Sequence, residues 1–268
     1  MTGYHRQESN GSAGLFRGAN SVKTNEIKSL LKRRIFTLIR VLLIVSVIAN
    51  IAITAIFILT DQDITKDEIL SEITKRIEFI FWGIVTFILT FGTSYVRQRN
   101  KVYLPEILEI SIIVFIFAAI YLSVRYNLYY RFFWWDNLLH GLSGIIIGFI
   151  GFIMIYKLNH RYSMDISPLL VAVFSFSFAV TLGVFWEIFE FTSDAVLGTA
   201  TQKWDLPSTA RLLGQEYQGS GLRDTMSDLI LNCLGALITS VIAYYLYKNE
   251  KTKILNEMKK IVPGEQHG

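Results

Sequence analysis

The sequence predicts an all-α fold, a polytopic membrane helix bundle of about six transmembrane helices, and three observations predict it. Six apolar runs are each long enough to cross a bilayer. The chain is 52% hydrophobic with a mean hydropathy of +0.40, which suits a multi-span protein better than a water-soluble domain. Its Lys and Arg residues cluster in short segments between the apolar runs.

A helix rises about 1.5 Å per residue, so about 20 apolar residues cover a hydrocarbon core of roughly 30 Å. The qualifying segments lie near 38–60, 77–96, 105–124, 134–156, 167–191 and 225–247. Pro105 and Pro168 stand near the start of a segment, where a missing backbone N–H costs nothing, and no proline interrupts a span. Residues 1–34 form an N-terminal segment expected to be disordered or amphipathic and cytoplasmic; from Met1 to about Val22 it is rich in Gly, Ser, Asn and charge, without apolar periodicity. The transmembrane domain follows at 35–247, with its polar-site half at 134–247, and 248–268 is a cytoplasmic tail. The first run has no small-residue cleavage site before Asp61, so it is expected to stay as a spanning helix and not to be removed as a secretory signal.

The net charge is +4 and the pI about 9.0, yet the cations mark topology and do not form a nucleic-acid surface, so no nucleic-acid partner is expected. With the N-terminus inside, the inner segments carry fourteen flanking cations against eight on the outer ones, and the first outer loop also holds Asp61, Asp63, Asp67, Glu68 and Glu72. Both termini are therefore expected in the cytoplasm. Cys233 is the sole cysteine, which rules out an intramolecular disulfide and a paired-thiolate metal site.

Three helix-spaced pairs of ionisable residues interrupt this apolar pattern. Asp136 and His140 open the fourth span, Glu187 and Glu190 close the fifth, and Asp224 and Asp228 open the sixth. Consecutive spans alternate in direction, so the start of four, the end of five and the start of six lie on one side of the bilayer, the extracytoplasmic side in the orientation above. Residues three or four apart share a helix face, and the stripes continue through Asp194 and Asn232. Ionisable groups at membrane depth face a bundle interior or a water-filled cavity.

Five carboxylates and an imidazole gathered without compensation repel one another and are driven toward protonation. A divalent cation removes both problems, and carboxylates with a neutral His suit Mg²⁺, Mn²⁺ or Zn²⁺, while the lack of thiolate argues against a structural zinc site. Such an ion polarises a phosphoryl or carbonyl oxygen and lowers the pKa of a water ligand, leaving a spare carboxylate as general base. The candidate metal ligands are Asp136, His140, Glu187, Glu190, Asp224 and Asp228; the candidate catalytic groups are Glu187, Glu190 and Asp228; Asn232, Asp194 and Arg223 are candidates for substrate contact. Plainer roles exist for several. Asp136 and Asp224 begin helices, where an acid complements the macrodipole, and His140 alone suits an interhelical hydrogen bond. Glu187 and Glu190 sit at a helix C-terminus, where negative charge is disfavoured and a cation or protons are needed.

Gly141, Gly144, Gly148 and Gly151 line the fourth span as expected for close helix packing. Gly219, Ser220 and Gly221 precede the sixth, as a plain turn or a backbone cradle for an anion. Ser143 and Ser227 neighbour the acid-bearing positions without a clear nucleophilic pattern. Glu106 and Glu109 are expected at the cytoplasmic interface, and Tyr129, Tyr130, Trp134, Trp135 and Trp186 suit an interfacial aromatic belt. The outer connection from about 192 to 223 holds Asp194, Lys203, Trp204, Asp205, Pro207 and Glu216, and its length suits a cover over the polar site.

The run WDNLLHG at 135–141, WEIFEF at 186–191 and RDTMSDL at 223–229 resemble the D-x-x-x-H, E-x-x-E and D-T-x-x-D signatures of the YjdF-type bacterial predicted inner-membrane proteins, and more distantly VanZ-like membrane proteins. The likeness covers roughly 134–245 and implies a multi-spanning membrane protein without naming a reaction. In that family the outer loop is expected to pass from a Gly-Thr step almost directly into D-T-x-x-D, whereas here more than twenty residues separate Gly198 and Thr199 from Asp224.

Three functional classes fit these residues. One is a metal-dependent membrane hydrolase or transferase acting on a lipid or lipid-linked phosphate. Another is an ion- or proton-coupled transporter, although neither inverted repeats nor broken midplane helices are evident. The third is a non-catalytic scaffold whose polar ridges join helices. Sequence leaves the substrate, the metal and the oligomeric state open.

Overall fold

The structure, a computed structural model, describes residues 8–60, 66–100, 104–203, 211–212, 215–216 and 219–249. Along the chain these form α1 (Glu8–Thr60), α2 (Lys66–Leu89), α3 (Gly92–Asn100), α4 (Glu106–Ile116), a π-helical turn (Phe117–Leu122), α5 (Ser123–Tyr126), α6 (Leu128–Arg131), α7 (Trp135–Tyr162), α8 (Pro168–Leu197) and α9 (Ser220–Asn249). A two-residue antiparallel hairpin, β1 (Arg211–Leu212) with β2 (Gln215–Glu216), interrupts the connection between α8 and α9. Among the described residues, six stretches are long and apolar enough to span: Glu26–Leu59, Glu72–Arg99, Glu106–Tyr126, Trp135–Tyr162, Pro168–Val196 and Ser220–Asn249. The fold is the expected all-α membrane bundle. Each span overruns its apolar run at one end or both, because helices continue into the interface where hydropathy no longer marks them.

In the N-terminal segment, α1 begins at Glu8 and is continuous with the first span. Once the apolar stretch supplies a helical nucleus, each further residue adds a hydrogen bond without repeating the cost of nucleation. The C-terminal tail expected from 248 lies outside the described residues beyond Asn249.

The chain divides into two compact units, one of residues up to 100 with 104–117, the other from 118 onward. In the first unit, Phe36, Ile39 and Leu43 on α1 are buried, as are Thr86, Thr90 and Thr93 on the second span and Leu108, Glu109 and Ile113 on α4. The second span is not continuous: α2 stops at Leu89 and the helix restarts at Gly92. Arg40 meets this break, its Nη2 donating to the Thr90 carbonyl at 3.0 Å and its Nε to Thr90 Oγ1 at 3.0 Å, with the guanidinium 3.9 Å from the Phe91 ring centre. An intramembrane arginine is thus matched to a carbonyl at a helix break and an aromatic face. Glu109 corrects another expectation. It is 1% exposed, not interfacial, and pairs with Lys32 Nζ at 3.1 Å and Arg97 Nη1 at 3.5 Å.

The second unit packs α7, α8 and α9 along three stripes at three- and four-residue spacing. Asp136, His140, Gly144, Gly148, Gly151 and Ile155 are buried on α7; Ser175, Ala179, Glu187 and Glu190 on α8; and Asp228, Asn232, Gly235, Ala236, Thr239 and Ala243 on α9. The large apolar side chains Phe185, Ile188, Phe189, Ile230, Leu234 and Leu237 point outward instead, since lipid accepts them and the interface needs small residues. A Cβ on Gly144 would clash with the Asn232 carbonyl, and one on Gly235 with the Gly141 carbonyl, so α7 and α9 meet backbone to backbone. Thr239 Oγ1 donates to the Ile145 carbonyl at 3.0 Å and Ser240 Oγ to the Ala172 carbonyl at 2.8 Å. This contact leaves little freedom in how deep each polar side chain lies.

Candidate functional site

The three stripes deliver the predicted residues to one place. His140 is the centre: its Nε2 lies 3.5 Å from Asp136 Oδ1 and 3.8 Å from Asp228 Oδ2, and its Nδ1 lies 3.7 Å from Glu187 Oε1. These gaps exceed hydrogen-bond lengths. Glu190 joins from the next turn of α8, within electrostatic range of Glu187, Asp136 and Asp224, and its Oε1 accepts from Trp186 Nε1 at 2.8 Å. At about 1.5 Å per residue, Asp228 lies about two turns inside the start of α9 and Glu187 about three turns inside the end of α8. Asp136, His140, Glu187, Glu190 and Asp228 are all less than 9% exposed.

Residues 198–203 of the long loop reach this cluster through Lys203. Gly198, with φ of 68°, ends α8 in the left-handed conformation that glycine tolerates best, and the chain turns back. Asp194 organises the turn: Oδ1 accepts from Thr199 Oγ1 at 2.6 Å, Thr201 Oγ1 at 2.7 Å and Thr201 N at 2.8 Å, and Oδ2 accepts from Gln202 N at 3.0 Å. Gln202 Nε2 donates to Thr225 Oγ1 at 2.6 Å, and Tyr130 OH to the Ala200 carbonyl at 3.3 Å. The turn carries Lys203 inward, where Nζ reaches Asp136 Oδ2 at 2.5 Å and Asp224 Oδ1 at 2.7 Å. Burial works to lower the Lys203 pKa, but Asp136 and Asp224 outweigh it and hold the ammonium above its ordinary range. Burial also pushes the Tyr129 phenol up, reinforced by Asp136 and Glu190, so its hydroxyl stays neutral and donates to the Ala119 carbonyl at 2.9 Å.

The residues expected to contact substrate occupy three different settings. Asp194 spends both oxygens on the 199–202 turn. Arg223 is exposed on the first turn of α9. Asn232 is 1% exposed at the helix crossing, its Nδ2 donating to Ser143 Oγ at 3.2 Å and its Oδ1 left without a hydrogen-bond donor. Gly183 makes room for it, since a Cβ there would stand 2.5 Å from Asn232 Oδ1. Lys203 is the residue that the sequence pattern did not assign. Its signal was present: it is the sole lysine in a loop joining two acid-bearing helices. Trp204, Asp205 and Pro207 lie outside the described residues.

Among the described residues one ammonium faces five carboxylates, so the cluster is short of positive charge. Among the described residues, both oxygens of Asp228 and of Glu187, with Glu190 Oε2 and Asp224 Oδ2, are buried without a hydrogen-bond partner. Donor atoms of Asp136, His140 and Asp228 all lie within 4.8 Å of one another. Ligands about 2.0–2.2 Å from a tetrahedral or octahedral ion stand roughly 3–3.5 Å apart, so shifts of a few tenths of an ångström to about 1 Å close this group around one. The donor set therefore fits a hard or borderline divalent ion.

Fold and cluster together define a six-span, all-α integral membrane protein with a buried acidic and histidine centre in its C-terminal three helices. The chain belongs to the family described as Predicted membrane protein (DUF2238), which it matches over residues 31–249, consistent with the YjdF-type likeness of the motifs. It is also similar to a Thermotoga maritima protein described as "Uncharacterized protein", with 29% identity over 168 residues, 62% of this chain and 74% of that protein. No solved structure matches the chain.

Proposed function

We propose that the second unit binds one divalent cation through Asp136, His140 and Asp228, and that the protein is a metal-dependent hydrolase or transferase for a lipid or lipid-linked phosphate. The observation that carries this reading is Asp228, 0% exposed, with both carboxylate oxygens lacking a hydrogen-bond partner among the described residues and one of them 3.8 Å from His140 Nε2. Left ionised and alone, such a group costs several kcal/mol. A cation at the site supplies Lewis acidity toward a phosphoryl oxygen. The chain's own residues supply the rest. Glu187 or Glu190 accepts the proton as water or an acceptor hydroxyl attacks phosphorus, the ester P–O bond breaks, and the same proton returns to the departing alkoxide. Lys203 adds positive charge at the mouth, and the depth of the cluster within the spans favours a substrate presented by the bilayer.

Metal content of purified, detergent-solubilised protein tests the reading. Wild type should retain about one Mg²⁺, Mn²⁺ or Zn²⁺ per chain, and His140→Ala and Asp228→Asn should each weaken binding by more than the ~10–100-fold typical of outer-shell changes. A folded wild-type protein that takes up no divalent ion at millimolar concentration sinks the proposal and leaves proton handling by the same carboxylates.

A further inference from the structure

Lys203 is unusual for a loop lysine. Its side chain is only 12% exposed, and its backbone adopts φ of 49°, a left-handed conformation disfavoured for a non-glycine residue. The turn that holds it is tied to α6 by Tyr130, to α8 by Asp194 and to α9 by Gln202. That mounting aims Nζ between one carboxylate from α7 and one from α9.

Asp136 is then shared between two positions. Its Oδ2 binds the Lys203 ammonium, while its Oδ1 faces His140 Nε2 beside the inner position bounded by Asp228. A carboxylate with a positive charge on each oxygen is how two-metal centres bridge their ions, which stand about 3.5–4 Å apart. Asp224 completes the outer position: Oδ1 accepts from Lys203, and Oδ2 is buried without a hydrogen-bond partner, a donor still available to a cation.

We propose that the outer position is a second cation site of the same centre, occupied by the Lys203 ammonium, so that this chain takes one divalent ion where the carboxylate framework would otherwise hold two. The inference rests on the metal reading above and deepens it. Lys203 acts as a tethered replacement for the second metal: it neutralises Asp136 and Asp224, keeps Asp136 oriented toward His140, and brings a fixed positive charge to bear on an anionic oxygen of the substrate.

Manganese titration of the chelator-stripped, full-length protein in detergent tests this, with bound ions counted by elemental analysis and their coupling read by electron paramagnetic resonance. Wild type should bind one Mn²⁺ with an isolated-ion spectrum, Lys203→Arg should match it, and Lys203→Met should bind two with a spin-coupled spectrum. Adding Asp224→Asn to Lys203→Met should return the count to one. One ion in both wild type and Lys203→Met, at unchanged affinity, overturns the role of Lys203 but leaves the metal reading standing; no ion in wild type removes the metal reading itself. Two ions in wild type also overturn the inference. If Lys203→Met folds only when Mn²⁺ is added, the divalent ion is replacing the ammonium as proposed; if Mn²⁺ does not restore folding, the inference fails.

Discussion

Asp228 and Lys203 show opposite sides of the same electrostatic problem. Asp228 is fully buried with neither oxygen hydrogen-bonded. Asp228→Asn keeps its shape and removes its charge, so in metal-free buffer the variant should be more stable than wild type by about 1–3 kcal/mol, seen as a higher melting temperature. Saturating Mn²⁺ should reverse that order, because only the wild type then gains ligand-binding free energy. Lys203 gives a pH prediction of definite sign. Its folded pKa is raised, so its stabilisation is complete below the unfolded value of about 10.4 and is lost as pH rises through the folded value. The melting-temperature gap between wild type and Lys203→Met should be flat from about pH 6 to about pH 9 and narrow only above about 10.4; a gap that closes near neutrality contradicts the ion pairs. The acids were legible because a charge inside an apolar run stands out. Lys203 was not, because a lysine in a polar loop resembles its surroundings until the turn aims it.

At the scale of elements, α7 and α9 owe their approach to glycine. Gly144→Ala and Gly235→Ala each force a methyl group onto a carbonyl of the facing helix, and each should cost about 1–3 kcal/mol by thermal denaturation in detergent, whereas Gly92→Ala, which meets nothing within 4 Å, should lower stability far less. Equal melting temperatures for all three would contradict the backbone contact. The Gly144 and Gly148 step was visible as a close-packing signature, but its partner was not, because periodicity marks a face without saying what the face touches. The break at Thr90 and Phe91 was invisible for a related reason: no proline or glycine pair announces it, and it is sustained by Arg40, fifty residues earlier. Asp194 makes a further case. It shares the α8 face of Glu190, which suggested substrate contact, yet its oxygens hold the 199–202 turn. Asp194→Ala should therefore speed amide hydrogen exchange at Thr201 and Gln202 and weaken metal binding only indirectly, through Lys203.

For the molecule as a whole, six spans place the chain in a bilayer and distribute it over two units, each with its own polar interior. The first has Glu109 among Lys32 and Arg97, and the second has the acidic centre. The bias of flanking cations favours cytoplasmic termini and an outward-facing centre. In a Cys233→Ser background, Arg223→Cys should react with a membrane-impermeant maleimide added to intact cells, and Arg161→Cys should react only after the membrane is opened. The reverse pattern would put the centre on the cytoplasmic side.

Sequence alone determined the membrane class, the number of spans, and the common side and helix faces of the six ionisable groups, because hydrophobic length, a helical period and alternating direction are local or countable properties. Tertiary structure decided which of those groups meet at His140, which acid is diverted to a turn, and which loop cation enters the cluster. These are contacts between residues distant along the chain, set by how closely glycine lets two backbones approach and by where a left-handed turn sends a lysine.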